Sequence, residues 1–114
     1  MEIQIKQKEK SLIEMVMKFL VLQRIRGEAP AKELAVLLPA QIKYYEDLKS
    51  SGRVEAYYHM IGQQGHMLIC NVASDDELSA VIGRDPLFFH SHREVYPLTT
   101  AETHKKYVKE MMKG

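Results

Sequence analysis

Two stretches of this chain are apolar on both faces when laid out as strands, and they constrain the fold more than any motif does. In residues 15–25, MVMKFLVLQRI, one face carries Met17, Phe19, Val21 and Ile25, and the other Val16, Leu20 and Leu22. In residues 66–73, HMLICNVA, the two faces are Leu68, Cys70, Val72 and Met67, Ile69, Ala73. Successive side chains of a strand point to opposite sides. Strands of this kind must therefore be covered on both faces, as the middle of a sheet is. Two other strand candidates, VEAYYHMI at 54–61 and HSHREVYPL at 90–98, carry His, Glu and Arg. They suit the sheet edges.

Helical spacing fills the intervals. Pro30 suits the first turn of a helix, and Leu34, Leu37, Leu38, Ile42, Tyr45 and Leu48 make one apolar stripe behind it. Tyr45 is expected in the core. Pro39 interrupts the stripe and predicts two short helices, or a kink near Leu38; Gly52 is a good stop. Gly62-Gln63-Gln64-Gly65 is a short turn between the second and third strands. Ser74 to Glu77 reads as a capping box ahead of Leu78, Val81 and Ile82, and Asp85-Pro86 ends that helix. A second box, Thr99 to Glu102, opens a C-terminal helix carrying Tyr107, Val108, Met111 and Met112.

The predicted order is strand, helix, strand, strand, helix, strand, then a helix. That is the ferredoxin-like βαββαβ pattern of an α+β fold, with a four-stranded antiparallel sheet. Residues 15–98 form the domain, 1–14 a peripheral extension, and 99–114 a helical tail. Two helices cover only one sheet face. The other face would leave apolar residues in water, which marks an interface. Two copies packed sheet to sheet as a homodimer are the simplest solution.

Composition excludes several functions. Sixteen Lys+Arg against fifteen Asp+Glu leave a net charge of +1 over 114 residues, without the basic excess a nucleic-acid surface needs. Cys70 is the single cysteine, so neither an intrachain disulfide nor a cysteine-based zinc cluster can form. Its apolar neighbours predict an inert, packed thiol. The apolar run Phe19–Leu22 is too short to span a bilayer, and no signal-peptide pattern precedes it. No membrane association and a cytoplasmic location are expected. The chain has no phosphate-binding glycine loop and no G-x-S-x-G elbow. Its GxxG joins two strands, unlike the helix-joining loop of a KH domain.

Ionisable groups are densest at 90–98. His90, His92, Glu94 and Tyr96 alternate and so share one strand face. His92 and Glu94 are candidates for proton transfer; a metal would need a third ligand, and none is expected. His59 with Tyr57 could orient a small oxygenated ligand. Arg24 could hold a ligand carboxylate in two hydrogen bonds. A solvated sheet edge is the alternative reading of the 90–98 face, amphipathic strand packing that of Tyr57, and a surface ion pair that of Arg24.

A set of spaced residues adds a further expectation: Gly52, Gly62 and Gly65, Val72-x-Ser74, Glu77-Leu78, Pro86-Leu87-Phe88 and Glu94-Val95. With them, residues 15–98 resemble the muconolactone delta-isomerase family. The resemblance implies a dimeric α+β barrel, a homodimer or larger ring, and a cofactor-independent shift of a double bond in a small lactone. In that family the first helix carries acidic and basic residues shortly before its closing glycine. Here the corresponding stretch is Ala40-Gln41-Ile42-Lys43, so Lys43 alone carries over, as a ligand-binding position. The resulting expectation is a cofactor-free enzyme on a small lactone or aromatic-derived acid. His92, Glu94 and His59 would move protons, and Tyr57, Arg24, Lys43, His90 and Tyr96 would bind ligand. The alternative is a noncatalytic small-ligand-binding or accessory dimer.

Overall fold

Residues 16–113 are described by a computed structural model; the expected extension over 1–14 lies outside them. The elements are β1 (Met17–Ile25), α1 (Ala31–Ser50), β2 (Val54–His59), β3 (Gly65–Val72), α2 (Asp75–Gly83), β4 (Ser91–Leu98) and α3 (Ala101–Lys113). A 3-10 turn, Phe88–His90, leads into β4. The sheet order is β2-β3-β1-β4, and every pairing is antiparallel. The two doubly apolar strands are central and the two polar ones are edges. This is the ferredoxin-like α+β architecture.

Strand alternation sorts the side chains. Phe19 and Val21 of β1 and Leu68, Cys70 and Val72 of β3 face the helices and are buried with Val54, Tyr45, Leu78 and Val81. Each such aliphatic side chain contributes about 1.5–3 kcal/mol when fully buried. The opposite face carries the cross-strand rows Ile69–Leu20–Tyr96 and Met67–Leu22–Glu94. Leu20, Leu22, Met67 and Ile69 are only half-buried there. None of the residues of α3 is buried; its apolar stripe, including Tyr107 and Met111, is exposed.

Five local expectations change. First, α1 is one helix of 20 residues that runs through Pro39. Pro39 and Ala35, whose carbonyl it leaves without an intrahelical donor, are both exposed, so water can satisfy that carbonyl. Second, the buried stripe of α1 includes Gln41, while Ile42 is 45% exposed. Third, β4 begins at Ser91 and His90 belongs to the preceding turn, so His90 does not share the strand face of His92. Fourth, the cap of α3 is Thr100, whose hydroxyl accepts from the Thr103 amide at 3.1 Å, not Thr99. Fifth, the cap at α2 forms, with Ser74 accepting from the Glu77 amide at 3.1 Å, but the Glu77 carboxylate reaches back one residue further than in a capping box, to the Ala73 amide at 2.8 Å.

Candidate active site

A cleft of about 430 Å³ lies between α1 and the β2–β3 hairpin. This is within the range of small-molecule sites. From α1 it takes Leu38, Gln41 and Ile42, from β1 Ile25, from β2 Tyr57 and His59, and from the hairpin and β3 Gln64, Gly65 and His66. His59 and His66 are direct cross-strand partners on the helix-facing side. Gly65 lets β3 lie close against β1 beside the cleft, because a Cβ there would stand 2.4 Å from the Gln23 carbonyl oxygen.

His66 and Gln41 are the buried polar groups of the cleft wall. The His66 ring packs against Tyr57 (centroids 5.4 Å) and Tyr45 (5.2 Å), and the residue is 5% exposed. Its Nε2 has no hydrogen-bond partner among the described residues. Burial lowers its pKa to about 4, so the ring is neutral at pH 7. Burial also raises the Tyr57 hydroxyl above its ordinary value; it stays protonated.

Behind the cleft sits a buried carboxylate. Asp85 accepts from Gln23 Nε2 (3.0 Å), Gln41 Nε2 (3.0 Å to both oxygens), Tyr45 Oη (2.6 Å) and the Leu87 amide (2.7 Å). Arg93 Nη2 stands 3.9 Å from Asp85 Oδ2, an ion-pair distance beyond hydrogen-bond reach. The Arg93 guanidinium also lies 4.7 Å from the Phe88 ring centroid. Burial and the neighbouring Asp85 charge push the Tyr45 hydroxyl well above its ordinary value, so it remains a donor. Gln41 joins the two regions, since it lines the cleft and donates to Asp85.

The expected site residues divide between the sheet faces. Tyr57 and His59 line the cleft. By strand pairing, His92, Glu94, Tyr96 and Arg24 lie on the opposite face, where Arg24 is directly across from His92. Tyr96 Oη donates to Glu94 at 3.0 Å, and Arg24 Nε donates to Gln63 at 2.8 Å. His59 is thus not brought together with His92 and Glu94. Lys43 is exposed on α1 and pairs with Asp47 at 3.2 Å, while His90 Nε2 meets Glu33 at 2.8 Å. Cys70 is buried, its thiol pushed up to about 11 by burial. Among the described residues no three His, Cys, Asp or Glu are grouped to hold a metal, and no helix is long and apolar enough to cross a membrane.

A family model described as muconolactone delta-isomerase matches residues 17–105. The chain belongs to the muconolactone delta-isomerase family. A relative within it, the muconolactone delta-isomerase of Rhodococcus opacus, is 33% identical over 76 residues, covering 67% of this chain and 73% of the relative. The fold of this family member is similar to the crystal structure of a muconolactone isomerase, with a TM-score of 0.66 at 19% identity over 74% of this chain and 90% of the other. It is also similar to 5-chloro-2-hydroxyhydroquinone dehydrochlorinase from Burkholderia phenoliruptrix AC1100, solved with 2,5-dihydroxybenzoquinone. That TM-score is 0.63 at 19% identity, over 76% and 98% of the two chains.

Gln23, Gln41, His66 and Asp85 do not stand out as site candidates in the sequence. A signal for three of them was present: Gln23 continues the alternation of Phe19 and Val21, His66 that of Leu68 and Cys70, and Gln41 lies four residues from both Leu37 and Tyr45. A polar residue in register with an apolar face is either exposed by a break or buried with a partner. For Asp85, read only as a helix stop, no such periodicity exists.

Proposed function

We propose that this family member catalyses a cofactor-independent double-bond shift in a small unsaturated cyclic carbonyl compound held in the cleft between α1 and the β2–β3 hairpin. A proton leaves the carbon conjugated to the carbonyl, the electron pair delocalises as an enolate, and a proton returns at a different carbon of the same system. Atoms and electrons balance without a co-reactant. His59, at the cleft mouth, carries the proton. Tyr57, a protonated hydroxyl in the same cleft, donates to the oxygen on which charge develops.

One observation carries the reading: an imidazole and a phenol line the same cleft in a member of an isomerase family. The test is turnover of muconolactone and of other unsaturated γ-lactones in D₂O, followed by ultraviolet absorbance and by deuterium entering the product. His59→Ala is expected to lower the rate by about a hundredfold or more, the usual scale of acid–base catalysis. If no lactone reacts, or His59→Ala reacts as the parent does, the reading fails.

A homodimer through the open sheet face belongs to the same reading. The half-buried Leu20, Leu22, Met67 and Ile69 on that face support it. His92 and Glu94 would then lie at the contact, and their substitution would act on assembly. Sedimentation at micromolar concentration tests it; a monomer there overturns it. A noncatalytic ligand binder is the second reading, and it is favoured by the absence of a carboxylate among the described residues that line the cleft. Binding without deuterium incorporation would select it.

A further inference from the structure

We infer that the cleft selects uncharged cyclic carbonyl compounds over their carboxylated counterparts, because its wall presents neutral and apolar groups and leaves a carboxylate without a fixed counter-charge. For the reaction the inference rests on the isomerase reading above; for ligand choice it stands on the cleft alone.

The first observation is the lining itself. Of the described residues that form the wall, none is Lys, Arg, Asp or Glu. Arg24, adjacent in sequence to the wall, is held by Gln63 on the other side of the sheet. Lys43 is engaged with Asp47 on the outer surface of α1. A ligand carboxylate in this cleft would give up water and find no fixed cation, which is costly.

The second observation is the polarity of the groups that are present. Gln41 is buried, and its amide nitrogen is committed to both oxygens of Asp85. Only its oxygen, an acceptor, is left for a ligand, and an acceptor repels a carboxylate. Asp85 behind it adds negative charge of the same sign. His66 Nε2 is unpartnered and almost fully buried. Burial keeps this ring neutral, so it brings no positive charge to the wall. A neutral ring loses little in such a site, whereas an anion gives up water without gaining a counter-charge. Apolar Ile25, Leu38 and Ile42 complete the wall and suit a small ring.

The discriminating pair is α-angelica lactone, which is uncharged, and muconolactone, which carries a carboxylate on a related five-membered ring. Binding of each to the full chain is measured by titration calorimetry or ligand-observed NMR, and turnover in parallel. The expected result is a preference for α-angelica lactone of at least about tenfold, the size one pocket contact provides. The exposed substitution Ile42→Arg, which leaves the core untouched, should move the preference towards muconolactone by a similar factor. Muconolactone bound as well as or better than α-angelica lactone overturns the inference and leaves the isomerase reading standing. Preferential binding of α-angelica lactone with no turnover of either compound supports the inference and overturns the isomerase reading. If neither compound binds, both fail.

Discussion

The Tyr45 hydroxyl donates to Oδ2 of Asp85 at 2.6 Å, tying the buried face of α1 to the turn that follows α2. A hydrogen bond to a charged group contributes about 1.5–3 kcal/mol, and Asp85 receives several. Tyr45→Phe, which keeps the ring packing, should lose about 2 kcal/mol of stability. Asp85→Ala leaves donors from Gln23, Gln41 and Tyr45 without their acceptor and Arg93 without its counter-charge. It should cost about 3–5 kcal/mol, read from urea denaturation midpoints at constant m-value. An Asp85→Ala protein within 1 kcal/mol of the parent would show that the network is not a structural centre, on the ~1 kcal/mol scale of ordinary mutations.

His66 makes stability depend on pH in a defined window. Its folded pKa is about 4, against an unfolded value of about 6.5. Above pH 6.5 both states are neutral at this residue and its contribution is constant. As pH falls from about 6.5 to about 4 the unfolded chain takes up a proton that the folded chain does not, so stability falls with pH. Below the folded pKa the loss levels off, at about 3 kcal/mol. Comparing parent and His66→Gln by denaturant titration from pH 7.5 to 4 isolates this contribution. Parallel curves for the two proteins would contradict it.

Gly65 and Gly62 occupy one hairpin but should respond differently. An alanine Cβ at 65 meets the Gln23 carbonyl oxygen at 2.4 Å and Met60 Cε at 2.7 Å, and the backbone atom cannot swing aside. At Gly62 there is open space but a φ of +78°, so alanine costs only the left-handed conformation, about 1–2 kcal/mol. Gly65→Ala should cost more than Gly62→Ala and should also impair ligand binding, since β3 would separate from β1 at the cleft. Thermal melts with a binding titration check both; equal melting temperatures would refute the distinction.

The Cys70 thiol is buried, with its pKa pushed to about 11. Ellman's reagent should label it only after unfolding, because the thiolate is the reacting form. Rapid labelling of the native protein would mean that the sheet opens locally at β3.

What could be read from the sequence followed from local periodicity. The doubly apolar runs around Val21 and Leu68 placed β1 and β3 in the middle of the sheet, and the Ser74–Glu77 cap placed the start of α2. Tyr57 and His59, which line the cleft, stand out in the sequence as aromatic and imidazole groups on a strand. The Asp85 network was hidden for a physical reason. A buried polar group is recognised by its partners, and Gln23, Gln41 and Tyr45 come from segments that meet only in the folded chain. Alternation also places His92 and Glu94 on one face, as their pairing with Arg24 and Leu22 shows. Which face looks into a cleft depends on where α1 packs, and strand alternation alone does not encode that.

Gln41 has a consequence for motion. One side chain is both a wall of the cleft and a donor to Asp85, and through Asp85 it is joined to β1 and to the turn before β4. Ligand sites are often drawn from the least stable parts of a protein. This wall is fastened to the most cross-linked point of the molecule instead, so it should not breathe separately from the rest. Amide protons near Gln41, Gln23 and Leu87 would then exchange together with the globally protected core, and the cleft would keep its shape for as long as the domain stays folded.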